Sequence, residues 1–279
     1  MPKPKTAPLE EMESPDHEPD RTRRGIQSIE VGGEILKILA AEPRPMALRD
    51  LVKLTGMPSG KIHPYLVSFG NLGLVVQDPP SGRYLLGPMA IQLGLTGLQT
   101  LNPVREATPL AQALSEDTGQ CVAIVVWGNF GPVAVQLFEP YQAMHVNIRT
   151  GMVMSLIHTA SGRTFCAYLP EHIVGPMLAL QRQNAGMVFN QPLEAEAVDR
   201  LIAETRTHQM SRAINHPTPG MSAFAAPVFE HSGALALVVT IMGPSGQLDT
   251  DWNGPIAQAI HQCAQTISKR LGWRGAVAP

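Results

Sequence analysis

Apolar positions near the start of the chain follow a helical rhythm. Ile29, Ile35, Leu36, Ile38 and Leu39 recur at helix spacing, with Ser28 placed as a possible N-cap. Glu42-Pro43-Arg44-Pro45 ends that helix. Leu48, Leu51, Val52 and Leu54 predict a second, short helix, closed by the turn Thr55-Gly56-Met57-Pro58 with Gly at its C-cap. A third helix is predicted from Ser59 to about Asn71, its apolar face made of Ile62, Leu66 and Phe69 with Tyr65 beside them. The period then changes to that of a strand at Leu74–Val76. Asp78-Pro79-Pro80-Ser81-Gly82 turns the chain, and Arg83–Leu86 returns it. Three short helices and a hairpin make a winged helix-turn-helix, and the second helix of the helix-turn-helix pair fits the major groove.

Downstream, Met89, Leu93, Leu95 and Leu98 lie on one helical stripe, and Asn102-Pro103 marks the next boundary. Val104–Ser115 predicts an amphipathic helix. Cys121–Val126, Val133–Phe138 and His145–Ile148 read as strands. An apolar helix follows over Leu156–Pro170, entered through His158-Thr159-Ala160-Ser161-Gly162. Leu193, Ala197, Val198, Leu201 and Ile202 mark another helix. Phe224–Phe229 and Ala234–Met242 flank a turn at His231-Ser232-Gly233, and Ile256 to Leu271 forms a closing amphipathic helix. Mixed strands and helices over the second half predict an α+β chain with an α/β domain at its C-terminal side. The expected organisation is a tail over 1–25, a winged helix-turn-helix over 26–87, a linker helix over 88–102 and a second domain over 103–273.

Composition narrows the function classes. The 279 residues include 44% hydrophobic and 16% charged side chains, a balance suited to folded domains. The net charge of −2 excludes a basic nucleic-acid coat. Residues 26–98 carry six basic and five acidic side chains, so DNA affinity leans on Arg21, Arg23 and Arg24 in the polar tail and on dimerisation. Three widely spaced cysteines exclude a disulfide framework and a cysteine zinc cluster, and they fit a reducing cytoplasm. No apolar run reaches the roughly 18 residues that span a bilayer, so no membrane partner is expected. The chain has no GxSxG, HExxH, Walker or GxGxxG motif, and no cofactor is called for.

Several segments together resemble the IclR family of bacterial transcription regulators. They are Ile26-Gln27-Ser28-Ile29-Glu30, Leu72-Gly73-Leu74-Val75 and Gly82-Arg83-Tyr84-Leu85-Leu86-Gly87-Pro88 in the first half. Thr159-Ala160-Ser161-Gly162-Arg163 and Ala225-Ala226-Pro227-Val228-Phe229 carry it in the second. The resemblance implies double-stranded operator DNA as one partner, a small organic or aromatic acid as effector, and self-association as a homodimer or homotetramer. It implies control of a catabolic operon, by repression or activation. The residues expected to meet DNA are Arg21, Arg23, Arg24, Ser59, Gly60, Lys61, His63, Tyr65, Ser68 and Arg83.

Carried over by position, the effector pocket is lined by Met154, Ala160, Ser161, Ala213, Ala223, Thr240 and Met242. Ala213, Ala223 and Met242 offer no polar group, which fits a ring or an aliphatic ligand. The N–H groups around Ser161 and Gly162, at a helix start, are placed to receive a carboxylate. One departure is Pro64, where the family usually has Arg. It leaves three readings open: the third helix starts late, it kinks, or it reads DNA weakly. Pro64→Arg is expected to raise stability and operator affinity together. Two other function classes compete: a sensor or oligomerisation protein with weakened DNA binding, and an enzyme using Cys166 with His158.

Overall fold

The computed structural model describes residues 25–42, 44–140, 148–188 and 195–275. The tail arginines Arg21, Arg23 and Arg24, the predicted strand at 145–147 and Leu193 lie outside them. The chain divides into two compact units, Met1–Gln99 and Thr100–Pro279.

The first unit packs α1 (Gln27–Ala41), α2 (Leu48–Thr55) and α3 (Ser59–Asn71) around Ile35, Leu39, Leu51, Ile62 and Leu66. These side chains recur every three to four residues, so each helix turns one stripe inward. Helix α1 is already under way at Gln27. Ile26 occupies the N-cap position without a side-chain hydrogen bond, so Ser28 is no cap. Asp50 Oδ2 accepts from the Ala47 N–H at the start of α2, and Gly56 ends it with φ of 69°. The wing pairs β1 (Val75–Gln77) with β2 (Tyr84–Leu86) in antiparallel register, Val75 opposite Leu86. Buried Val75 and half-buried Tyr84 and Leu86 join the helical core. Helix α4 (Pro88–Thr100) follows.

The second unit is built on one antiparallel sheet in the order β4-β3-β7-β6-β5. Its strands are β3 (Cys121–Gly128), β4 (Gly131–Phe138), β5 (Ser211–Ile214), β6 (Met221–Phe229) and β7 (Leu235–Pro244). Alternation sorts the side chains between two faces. Val122, Ile124, Phe224, Ala226, Leu237, Val239 and Ile241 meet α5 (Pro103–Thr118) and α9 (Pro255–Arg270). Cys121, Ala123, Val125, Ala225, Val238 and Met242 face Phe165 and Ala160 of α6 (Ala160–Tyr168). Both faces are buried, so the strands read as nearly continuous apolar runs.

Two further helices, α7 (Glu171–Val188) and α8 (Ala195–His208), complete the unit. The apolar pattern does not predict α7, because Gly175-Pro176 reads as a break, yet the helix runs through Pro176. Strand β5 also goes unpredicted, since its four residues include the long polar side chain of Arg212.

One glycine sets how closely α6 seats. A Cβ on Gly162 would lie 2.1 Å from the Ser155 carbonyl oxygen and 2.5 Å from the Leu156 Cα. Both are backbone atoms that cannot swing away. Gly162→Ala is therefore expected to destabilise the unit by about 1–3 kcal/mol, the usual range for overpacking, measured by urea unfolding against wild type.

Candidate functional site

Two places concentrate the candidate residues. The first is the exposed side of α3. Its backbone starts at Ser59, with Lys61 and Ile62 N–H groups bonded to the Pro58 carbonyl at 2.9 and 3.2 Å. Pro64 therefore sits in the second turn, so the late-start reading does not hold, and the helix continues through it to Asn71. Pro64 has no N–H, so the Gly60 carbonyl lacks its donor four residues on.

Ser59, Gly60, Lys61, His63 and Ser68 are all exposed. Tyr65 is different. It is half-buried, its ring centroid lies 6.4 Å from that of Phe69, and the ring packs over Gly32 of α1. It belongs largely to the core stripe, as position 65 lies next to Leu66 and one turn from Phe69. Arg83, in the wing, is half-exposed and donates to the Pro45 carbonyl at 3.3 Å.

The second place is a cavity of about 270 Å³ in the second unit. Met154, Ala160, Ser161, Ala223, Thr240 and Met242 line it. Ala213 does not. It pairs with Ala223 across the β5–β6 ladder and is buried in the core on the α6 face of the sheet, one strand further out. The wall gains Ile148, Met152, Val153, Ser155, Thr159, His216, Pro217, Thr218, Met221 and Ser222, which sequence reasoning missed. A signal existed for part of this group: Ser155 immediately precedes the predicted helix, and Thr159 lies in the segment through which it is entered.

Local hydrogen bonds fix the floor. Thr159 caps α6, its Oγ1 accepting from the Gly162 N–H at 2.9 Å and donating to the Ser155 carbonyl at 2.6 Å. The Gly162 N–H is thereby spent, which corrects the expectation that it receives a ligand. The Ala160 and Ser161 N–H groups have no protein acceptor assigned among the described residues. Ser161 Oγ and Thr240 Oγ1 lie 2.8 Å apart, joining helix to sheet. At the mouth, Ser222, Ser245 and Asn215 are linked by hydrogen bonds of 2.8 Å, which hold the loop that presents His216.

Among the described residues no Asp, Glu, Lys or Arg lines the cavity, and the start of α6 adds the positive end of its dipole. Behind it, Arg163 is 4% exposed and bonds neutral acceptors, Ser211 Oγ at 3.3 Å and the Arg212 carbonyl at 2.7 Å. Burial lowers its pKa to about 10, against the pull of Glu204. Burial also holds His158 below the ordinary imidazole value, helped by the charges of His216 and Arg163. Cys166 is buried in an apolar cluster and its Sγ lies 4.0 Å from the Leu156 carbonyl oxygen. A wider, more open depression of about 710 Å³ lies beside α5, but Glu116 and Glu139 in its lining oppose an acid ligand.

Comparison with known proteins joins the two places. Residues 28–79 match the IclR helix-turn-helix domain, and residues 96–269 match the bacterial transcriptional regulator IclR C-terminal domain. The chain belongs to the IclR family. It is 28% identical to the glycerol operon regulatory protein of Streptomyces griseus over 253 residues, covering 89% of this chain and 98% of that one. It is 25% identical to the DNA-binding transcriptional repressor YiaJ of Escherichia coli, covering 89% of each. The crystal structure of Pseudomonas aeruginosa HmgR superposes with a TM-score of 0.83 at 30% identity, covering 90% of this chain and all of that one. As a member of the IclR family the chain is a transcriptional regulator that binds DNA and a small-molecule effector, not an enzyme.

Proline inside a helix costs a hydrogen bond and adds a clash, so Pro64→Ala is expected to raise the unfolding free energy by about 1–3 kcal/mol. Thermal melting of the two proteins checks this.

Proposed function

We propose that this regulator controls a catabolic operon in response to a monocyclic aromatic or medium-chain aliphatic carboxylate. The observation that carries this reading is the cavity's combination of apolar walls, main-chain donors at the start of α6, and no acidic side chain. A cavity of roughly 150 Å³ holds a benzene ring. The 270 Å³ here leaves room for a ring with a carboxylate, or a chain of similar length. The carboxylate meets the Ala160 and Ser161 N–H groups, and Met154, Ala223 and Met242 surround the apolar part. On this reading α3 and the wing address operator DNA, with Lys61 and His63 turned to the groove and the tail arginines on phosphate.

Self-association is the second part of the proposal. Helix α4 has no buried residue, and it exposes Met89, Ile91, Leu93, Leu95 and Leu98. Ile91 is 61% and Leu93 59% exposed. A helix so apolar and so bare is stable in water when a second copy covers it. A dimer would also place two reading helices on a palindromic operator.

Two measurements test these readings. A thermal-shift screen should show benzoate-like or C5–C8 carboxylates raising the melting temperature by about 5–10 °C at a hundredfold excess over Kd, with methyl esters inactive. Ala223→Leu, which fills the cavity, should abolish the shift. Light scattering at micromolar concentration should give at least twice the chain mass, and Leu95→Glu should lower it; a monomeric wild type overturns the second part.

A further inference from the structure

The outward line of α3 is built unlike a cationic reading helix. At 100° per residue, Ile62 and Leu66 point into the core. Directly opposite them lie Gly60, Pro64, Val67 and Asn71, all exposed. Lys61 and Ser68 flank this line on one side, and His63 on the other.

The chemistry along its centre is uniform. Pro64 presents an apolar ring, and Val67 is an apolar side chain 49% exposed in the middle of a reading surface. Gly60 has no side chain, and a Cβ there would meet nothing within 4 Å, so the line is open at that point. Ser68 Oγ donates its proton to the Pro64 carbonyl at 2.9 Å, so its hydroxyl proton is already used within the helix. Between Gly60 and Ser68 the centre of the line therefore offers apolar surface at Pro64 and Val67 and no side-chain donor, the donors Lys61 and His63 standing at its flanks.

In the major groove only an A·T pair shows a methyl group and an amino donor together: the thymine C5-methyl and the adenine N6 amine. A G·C pair shows no methyl, and its guanine edge asks for a donor. We propose that Val67, with the Pro64 ring, is a specificity determinant that packs against a thymine methyl in each half-site. This rests on the reading that α3 addresses DNA. It also changes the expectation for Pro64→Arg, which on this view moves the preference at that pair toward guanine rather than tightening the original site.

The test uses full-length protein and duplexes it enriches from a randomised pool. Each thymine of the enriched half-site is replaced by deoxyuridine, which removes only the methyl. Wild type should lose about fourfold in affinity at one position per half-site, the value of one buried methyl-sized group. Val67→Ala should bind thymine and deoxyuridine duplexes equally well, while its melting curve shows an intact fold. 5-Methylcytosine, placed where that thymine stood, should recover part of the loss for wild type alone. Wild-type affinities that stay within twofold at every replaced thymine overturn the proposal. So does a Val67→Ala protein that keeps the full deoxyuridine penalty. If no duplex is enriched at all, the DNA reading of α3 fails first, and the proposal fails with it.

Discussion

The close seating of α6 on the segment before it is the constraint on which the second unit depends. The Ser155 and Leu156 backbone passes so near Gly162 that no side chain fits between. That contact brings the Thr159 cap, the Ser155 carbonyl and the first turn of α6 into one compact corner. It also brings Ser161 within 2.8 Å of Thr240 on the central strand β7. A helix start held about 1 Å further out would lose the hydroxyl pair. The cap saturates one donor and leaves the N–H groups of Ala160 and Ser161, two residues that line the cavity, without an assigned protein acceptor among the described residues.

From this corner the packing reaches the sheet edge. Arg163 spans from α6 to Ser211 and Arg212 of β5. Arg212 in turn lies 4.3 Å above the Trp252 ring and donates to the Thr250 carbonyl at 2.7 Å. His208 stacks on Trp252 as well, at 3.9 Å between ring centroids. Trp252 is thereby clamped just before α9, the helix that shares a core with α5. Buried charge is expensive unless its donors are satisfied, and here the satisfaction of Arg163 ties α6 to β5.

How much of this was legible in the sequence differs by element. The helices of the first unit could be read because each has one apolar stripe and a plain stop, such as Gly56. The two buried faces of the sheet produced apolar runs long enough to see, but no alternation to assign a face. Helix α7 stayed hidden because Gly175-Pro176 mimics a terminus, and only tertiary packing overrides that local preference. At the cavity, the family resemblance found Ala160 and Ser161 on α6 and Ala223, Thr240 and Met242 on the sheet. It missed His216 and Thr218, because a loop is brought to the mouth by hydrogen bonds between residues as distant as Asn215 and Ser245. It misplaced Ala213, since a shift of one strand cannot be read from an alanine.

On the proposed reading, the carboxylate is held by main-chain N–H groups of Ala160 and Ser161, whereas the apolar part of the ligand meets side chains. These two kinds of group respond differently to mutation. A change at Met154, Ala223 or Met242 alters the shape available to a ligand, but it leaves the peptide donors of Ala160 and Ser161 where they are. Recognition of charge is thus separable from recognition of shape. On the proposed reading, a gene duplicate could drift through many wall compositions, and so through many small molecules, while keeping one main-chain site for the carboxylate.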